Sequence, residues 1–308
     1  MKAKNVNLHN AKENKKDEFY TQIPDIEREL KHYKTHFKGK TVFCNCDDPE
    51  WSNFWKYFHL NFEHLGLKKL ITTHYHRTEK TYKMEYEGEN DNDTAVGKIT
   101  SLKQNGDFRS SECIELLKQA DIVVTNPPFS LFREYIGQLM EYHKKFVVIG
   151  SMNAITYKEI FPLIQNNELW LGNGFKAGNA YFRVPTDTAS SYAKGVYDET
   201  TGLVKFRNCH WFTNLDIQKR HEPIDLIDHY SPEKYPKYDN YDAIEVSKVL
   251  NIPLDYDGVM GVPISFLDKY CPEQFEIIKF RKGNDDKDLS VSGKCPFFRI
   301  LIRKNRNY

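Results

Sequence analysis

The 308 residues carry 44 Lys and Arg against 43 Asp and Glu, a formal charge of +1, so any nucleic-acid face must come from local segregation of charge. The length suffices for one large α/β core with a smaller appended region and is short for two independent enzymatic domains. No stretch approaches the ~20 apolar residues of a bilayer-crossing helix, the amino end lacks the apolar run of a secretory signal, and six scattered cysteines read as reduced thiols, so a cytoplasmic protein without membrane association is expected.

Residues 1–16, with Lys2, Lys4, Lys12, Lys15 and Lys16 and little apolar content, read as a basic flexible arm. From Asp25 to Phe37 the apolar Ile26, Leu30, Tyr33 and Phe37 recur every three or four positions and predict a surface helix. Thr41 to Cys46 is a β-favouring run, Asn53 to Leu65 an aromatic-rich helical pattern, and Lys69 to Thr73 a second buried strand. Arg77 to Gln104 is polar and aperiodic, an inserted loop or hairpin. Ser110 to Gln119 has helical spacing, Asp121 to Thr125 is a bounded apolar strand, and helical spacing resumes at Leu131. A strand over Phe146 to Gly150 follows, then a Thr156 to Glu159 capping box that should open another helix. Strands thus alternate with helices from Lys40 to Gln165, which implies a mostly parallel sheet covered on both faces. After Trp170 come Gly-rich and strand-like pieces, including Ala180 to Val184 and Cys209 to Leu215. From Arg220 onward Tyr, Pro and Asp dominate without a period, as in an irregular recognition region folded on the core.

The strand at Asp121 runs straight into Asn126, Pro127, Pro128 and Phe129. Two prolines remove two backbone donors and fix φ near −65°, so the chain leaves the sheet through a stiff corner. An aromatic amine is a poor nucleophile because its lone pair is delocalised. If Asn126 offers its side-chain oxygen and Pro127 its carbonyl to the two amine hydrogens, at ~2.9 Å each, the nitrogen is drawn toward sp³ geometry and the lone pair is freed. The methyl sulfonium of S-adenosylmethionine is reactive enough to be attacked directly, with no covalent enzyme intermediate. Phe129 supplies a ring to stack on a base that has left the duplex. Cys44 and Cys46 lack a second close pair and His74 and His76 a third ligand, so no metal site is expected.

With these blocks in place, the chain resembles the EcoRI family of adenine-specific DNA methyltransferases. The matching blocks are Asp17 to Gln22, Cys44 to Pro49, Asp107 to Glu112, Asp121 to Phe132, Tyr235 to Asp242 and Ile252 to Phe266. The resemblance implies the α/β class I methyltransferase fold, Rossmann-like with a mostly parallel seven-stranded sheet, and S-adenosyl-L-methionine as cofactor. It places Phe19, Tyr20 and Thr21 at the amino-acid end of the cofactor, and Asp107 with Phe108 at its adenine. Asp47 and Asp48 end the first strand, where a carboxylate can meet the cofactor's ammonium or ribose. They replace the usual Gly-rich loop, and the acid expected after the second strand is missing from Lys69 to Tyr75, so either aspartate is a candidate for the ribose. Phe182 and Trp211 are candidates for the second face of a base sandwich, with plain core as the alternative.

The expected function is transfer of a methyl group to N6 of a flipped-out adenine in double-stranded DNA by a monomer without an obligate protein partner, as the modification enzyme of a restriction–modification system or an orphan relative. The expected domains are residues 17–219 for catalysis and 220–308 for target recognition. Arg281, Lys282, Lys294, Arg299, Arg303, Lys304 and Arg306 are candidates to track phosphates. Rival acceptors are an adenine in structured RNA or a protein glutamine, and a rival of another class is a DNA-binding relative without catalysis. GAATTC, the site of the family's namesake, is a candidate target.

Overall fold

The structure is a computed structural model that describes residues 19–76, 80–88, 93–184, 192 and 195–306; the basic arm expected at 1–16 lies outside them. The chain divides into two compact units, Met1–Ile160 with Leu171–Leu215 and Phe161–Trp170 with Asp216–Tyr308.

The first unit opens with β1 (Tyr20–Thr21) and α1 (Ile23–Leu30), which carries Pro24 in its first turn. Ile26, Leu30, Tyr33 and Phe37 are fully buried, so the apolar stripe of the sequence is the inner face of α1 and of the short helical turns after it. Then come β2 (Thr41–Cys44), α2 (Asn53–Leu60), β3 (Lys69–His74), β4 (Tyr82–Tyr86) and β5 (Lys98–Ser101). They are followed by α3 (Ser111–Gln119), β6 (Ile122–Thr125), α4 (Phe132–Glu141), β7 (Lys145–Ser151) and β8 (Trp170–Leu171). β9 (Ala180–Arg183), β10 (Tyr197–Asp198), β11 (Leu203–Phe206) and β12 (Cys209–Thr213) complete the strands of this unit. Ser52 caps α2 by accepting from the amides of Phe54 and Trp55, and Ser110 caps α3 by accepting from Cys113.

The main sheet has the order β5-β4-β3-β2-β6-β7-β12-β8. β2 pairs in parallel with β3 and β6, and β6 with β7, while β4, β5 and β12 are antiparallel to their neighbours. The sheet is therefore eight-stranded and mixed, parallel only at its centre, and not the mostly parallel seven-stranded sheet expected. The polar stretch at 77–104 accounts for part of the difference. It returns as the β4–β5 hairpin, burying Met84 and Tyr86 while Glu85 pairs with Lys69 and Lys83 at 2.7 and 2.8 Å. A smaller antiparallel sheet, β1-β9-β11-β10, anchors the start of the described chain. The expected capping box does not form. The Thr156 hydroxyl donates to the Asn153 carbonyl at 2.8 Å, and a five-residue helix opens only at Phe161.

The second unit is more regular than its sequence suggested. β13 (Ile244–Glu245), β14 (Met260–Pro263), β15 (Phe275–Phe280) and β16 (Arg299–Lys304) form a sheet of order β13-β14-β16-β15, with Met260, Val262, Phe275, Ile300, Leu301 and Ile302 buried. Proline, bulges and long returns hide this sheet from periodicity, as at the register shift between Ile277 and Lys279. Five of its seven candidate phosphate contacts are paired: Arg281 and Lys282 with Asp288, Arg299 with Glu245, Arg303 with Glu276, and Lys304 with Asp257.

Candidate active site

From β2 the chain moves to β3 on one side and reaches β6 on the other, a topological switch of the kind that leaves a crevice beyond the carboxyl ends of the strands. A cavity of about 500 Å³ lies there. Its wall takes residues 45–48 from the loop after β2, 73–76 from the end of β3, and Asn126, Pro128, Ser130 and Leu131 from the loop after β6. Phe19, Tyr20, Trp51 and residues 106–109 complete it. The volume is in the range of sites for small organic ligands.

Asn126 is fixed by its neighbours. Its Nδ2 donates to the Phe19 carbonyl at 2.7 Å. That carbonyl can only accept, so the amide orientation follows and Oδ1 is the free end. Oδ1 is buried and has no hydrogen-bond partner among the described residues. An unpaired buried acceptor costs about 1–3 kcal/mol, a deficit that an arriving N–H removes. The Pro128 carbonyl accepts from Leu131 N at 2.9 Å, turning the chain through Phe129–Leu131 into α4.

The two aspartates after β2 have different surroundings. Asp47 is 8 % exposed, and its carboxylate accepts from Thr125 Oγ1. Burial pushes it up to about 7, against the opposing pull of hydrogen bonds from Thr125, Ser52 and the Asn126 N–H. Asp48 is more open, and its Oδ2 lies 2.7 Å from His74 Nδ1 at the end of β3. His74 in turn stacks on Tyr82. Asn45 is 2 % exposed, and its Oδ1 accepts from Tyr135 Oη and Cys46 Sγ, which leaves Nδ2 buried and without a partner among the described residues.

On the opposite wall Gly106, at φ +74°, brings the chain so close to the His74 carbonyl that a Cβ would stand 2.3 Å from it. This presents Asp107, whose carboxylate is gripped by Arg109 Nε at 2.8 Å and Nη2 at 2.6 Å. Burial opposes ionisation, yet the Arg109 bonds outweigh it and hold Asp107 below the usual carboxylate range. Phe108 is buried edge-on to Tyr135, with the Arg109 guanidinium 5.2 Å from its ring centre.

The chain matches the family described as "Adenine-specific methyltransferase EcoRI" over residues 7–305. It belongs to that family. It is 52 % identical to "Type II methyltransferase M.EcoRI" of Escherichia coli, with 99 % of this chain and 98 % of the relative covered. It is 37 % identical to "Type II methyltransferase M.MgeORF184P" of Mycoplasma genitalium, over 97 % of this chain and 99 % of the relative. "Type II methyltransferase M.MpnI" of Mycoplasma pneumoniae is also 37 % identical, over 97 % and 98 %. No solved structure matches the chain significantly.

Of the residues that sequence singled out in this methyltransferase, Phe19, Tyr20, Asp47, Asp48, Asp107, Phe108, Asn126 and Pro128 line the cavity, whereas Thr21, Pro127, Phe129, Phe182 and Trp211 do not. Phe129 is 7 % exposed, its ring 5.5 Å from that of Phe19 and 6.2 Å from that of Phe206. Stacking a base on it requires a neighbouring ring to yield. Phe182 and Trp211, candidates for a second stacking face with plain core as the alternative, are both completely buried. Phe182 lies among Phe19, Phe175 and Phe206, and Trp211 stacks on Phe175. Inward positions on β9 and β12 leave these rings no free face. Asn45, inside the Cys44 to Pro49 block, and His74, weighed in the sequence only as a metal ligand, also lie in the wall.

Proposed function

We propose that this methyltransferase acts on double-stranded DNA, moving the methyl group of S-adenosylmethionine to N6 of an adenine turned out of the duplex. It does so as a monomer and as the modification enzyme of a type II restriction–modification system. The observation that carries this reading is the buried, unpartnered Oδ1 of Asn126 in the wall of the cavity. The type II names of relatives at 52 % and 37 % identity support DNA as the acceptor.

The cavity's donors and acceptors fit a nucleoside carrying an amino acid. Asp107 offers an acceptor and Phe108 a ring to its adenine, and Asp48, held by His74, supplies the carboxylate for its ribose that is absent from the end of β3. Phe19 and Tyr20 in the wall serve the amino-acid end, with the buried Thr21 next to them in the chain. When bound, the cofactor supplies an electrophilic methyl on a sulfonium sulfur. Asn126 Oδ1 and the Pro127 carbonyl accept the two amine hydrogens and draw the nitrogen toward sp³ geometry. Because the Asn126 amide is already oriented by Phe19, that amide need not reorganise when the base arrives. The second unit serves target recognition, and phosphate contacts there require several basic side chains to exchange carboxylate partners.

The test offers one preparation of methyl-labelled cofactor to duplex DNA, transfer RNA and a glutamine-bearing protein. Label is expected on adenine N6 in the duplex alone. Label confined to RNA or protein overturns the acceptor, and no transfer to any of the three overturns catalysis.

A further inference from the structure

The two aspartates after β2 divide two tasks between them. We propose that Asp47 is a positioning residue for the catalytic loop, its carboxylate clamping the end of β6 and the backbone of Asn126, while Asp48 is the member of the pair that meets the cofactor. This rests on the reading that Asn126 holds the target amine. The carboxylate of Asp47 accepts from Thr125 Oγ1, and the Ser52 hydroxyl and the Asn126 N–H face it closely enough to favour its charged form. Each belongs to a different piece of the site, since Thr125 ends β6, Asn126 begins the catalytic loop and Ser52 caps α2.

The bonds around Asp47 fix their own directions. Thr125 Oγ1 accepts from Cys46 N at 3.3 Å while donating to Asp47, so the hydroxyl stitches the two loops together in both senses. The Asp47 carbonyl accepts from Thr72 Oγ1 at 2.5 Å, which ties the same residue to β3. Asn126 is thereby steadied from two sides, its N–H facing Asp47 and its Nδ2 bonded to the Phe19 carbonyl. A buried carboxylate bonded by Thr125 and faced by two further protein donors has less accepting capacity left for a cofactor ammonium or hydroxyl. Asp48 has such capacity, bonded as it is by His74 and by Glu50 N at 3.0 Å.

The test reads turnover and cofactor affinity separately, using Asp47→Asn and Thr125→Val on the full-length protein with duplex DNA. Asparagine at 47 turns a donor toward Thr125 or the Asn126 N–H; valine at 125 removes the bond from the other side. Each variant is expected to lose at least about tenfold in single-turnover rate, with the cofactor dissociation constant changed less than about threefold by calorimetry. The double variant is expected to be no slower than the slower single one, because both remove the same link. Asp47→Asn that loses cofactor affinity and keeps its rate at saturation makes Asp47 a cofactor ligand and overturns the proposal, as do unchanged rates or additive losses. If Asp47→Asn does not fold, Thr125→Val decides by the same two quantities. A wild-type protein that methylates no DNA defeats the functional reading instead, which keeps the two failures apart.

Discussion

The loops that leave β2 and β6 lie side by side at the carboxyl edge of one sheet, yet they acquire rigidity in different ways. The loop after β6 is stiffened covalently, by Pro127 and Pro128. The loop after β2 is stiffened by hydrogen bonds through Thr125, Ser52 and Thr72. Covalent stiffness is written in the order of residues and is visible in a sequence. Stiffness from Thr72 and Thr125, 25 to 79 positions away, becomes visible only after folding.

The largest effect should come from the covalent loop. Asn126→Ala is expected to lower single-turnover methylation about 10²- to 10³-fold, roughly 2.7–4 kcal/mol, and to leave cofactor affinity intact. Rapid-quench assays beside calorimetric titration check this. A loss confined to cofactor affinity would break the assignment of that loop to the amine.

The hydrogen-bonded loop should show itself through pH. Burial raises Asp47 to about 7 from its ordinary value near 4, so the folded state holds a proton that the unfolded chain releases. The stability this contributes is fully present below about pH 4 and is lost as pH rises through about 7, on the order of a few kcal/mol. Denaturant titrations from pH 4.5 to 8 should show that decline in the wild type and a flatter profile in Asp47→Asn. Parallel profiles would mean that Asp47 carries its charge without penalty.

The same contrast explains what could be read beforehand. The alternation of strands and helices from Lys40 to Gln165 was legible because buried runs such as Ile122–Thr125 keep one period and end at proline, glycine or a serine cap. The second unit was not, because β14, β15 and β16 are separated by long returns and one carries a bulge. Of the candidate residues, Asn126, Asp107 and Phe108 stood out from compact blocks, and all three line the cavity. Asn45 and His74 did not stand out, since each depends on a partner from another element, Tyr135 for one and Asp48 for the other. For Phe182 and Trp211 both stacking and core stayed open, because strand residues alternate sides and sequence does not reveal which side faces inward.

Asp107 belongs to neither loop and sharpens the comparison as a probe of affinity alone. Asp107→Asn is expected to weaken cofactor binding about tenfold, near 1.4 kcal/mol, with rate at saturation unchanged, because it costs a charge-assisted acceptor far from the reacting nitrogen. Calorimetry and saturating single-turnover assays separate the two quantities.

The smallest effect is expected at His74. His74→Phe keeps a ring to stack on Tyr82 but removes the donor at 2.7 Å from Asp48. The carboxylate then loses one constraint on its direction, so cofactor affinity should fall by no more than about 1 kcal/mol. If Asp48 meets the ribose, the penalty depends on the ribose hydroxyls. A cofactor analogue lacking them should bind wild type and His74→Phe with nearly equal affinity. An undiminished difference with that analogue would show that the Asp48–His74 pair only buttresses the end of β3, and that the ribose is held by some other group in the cavity.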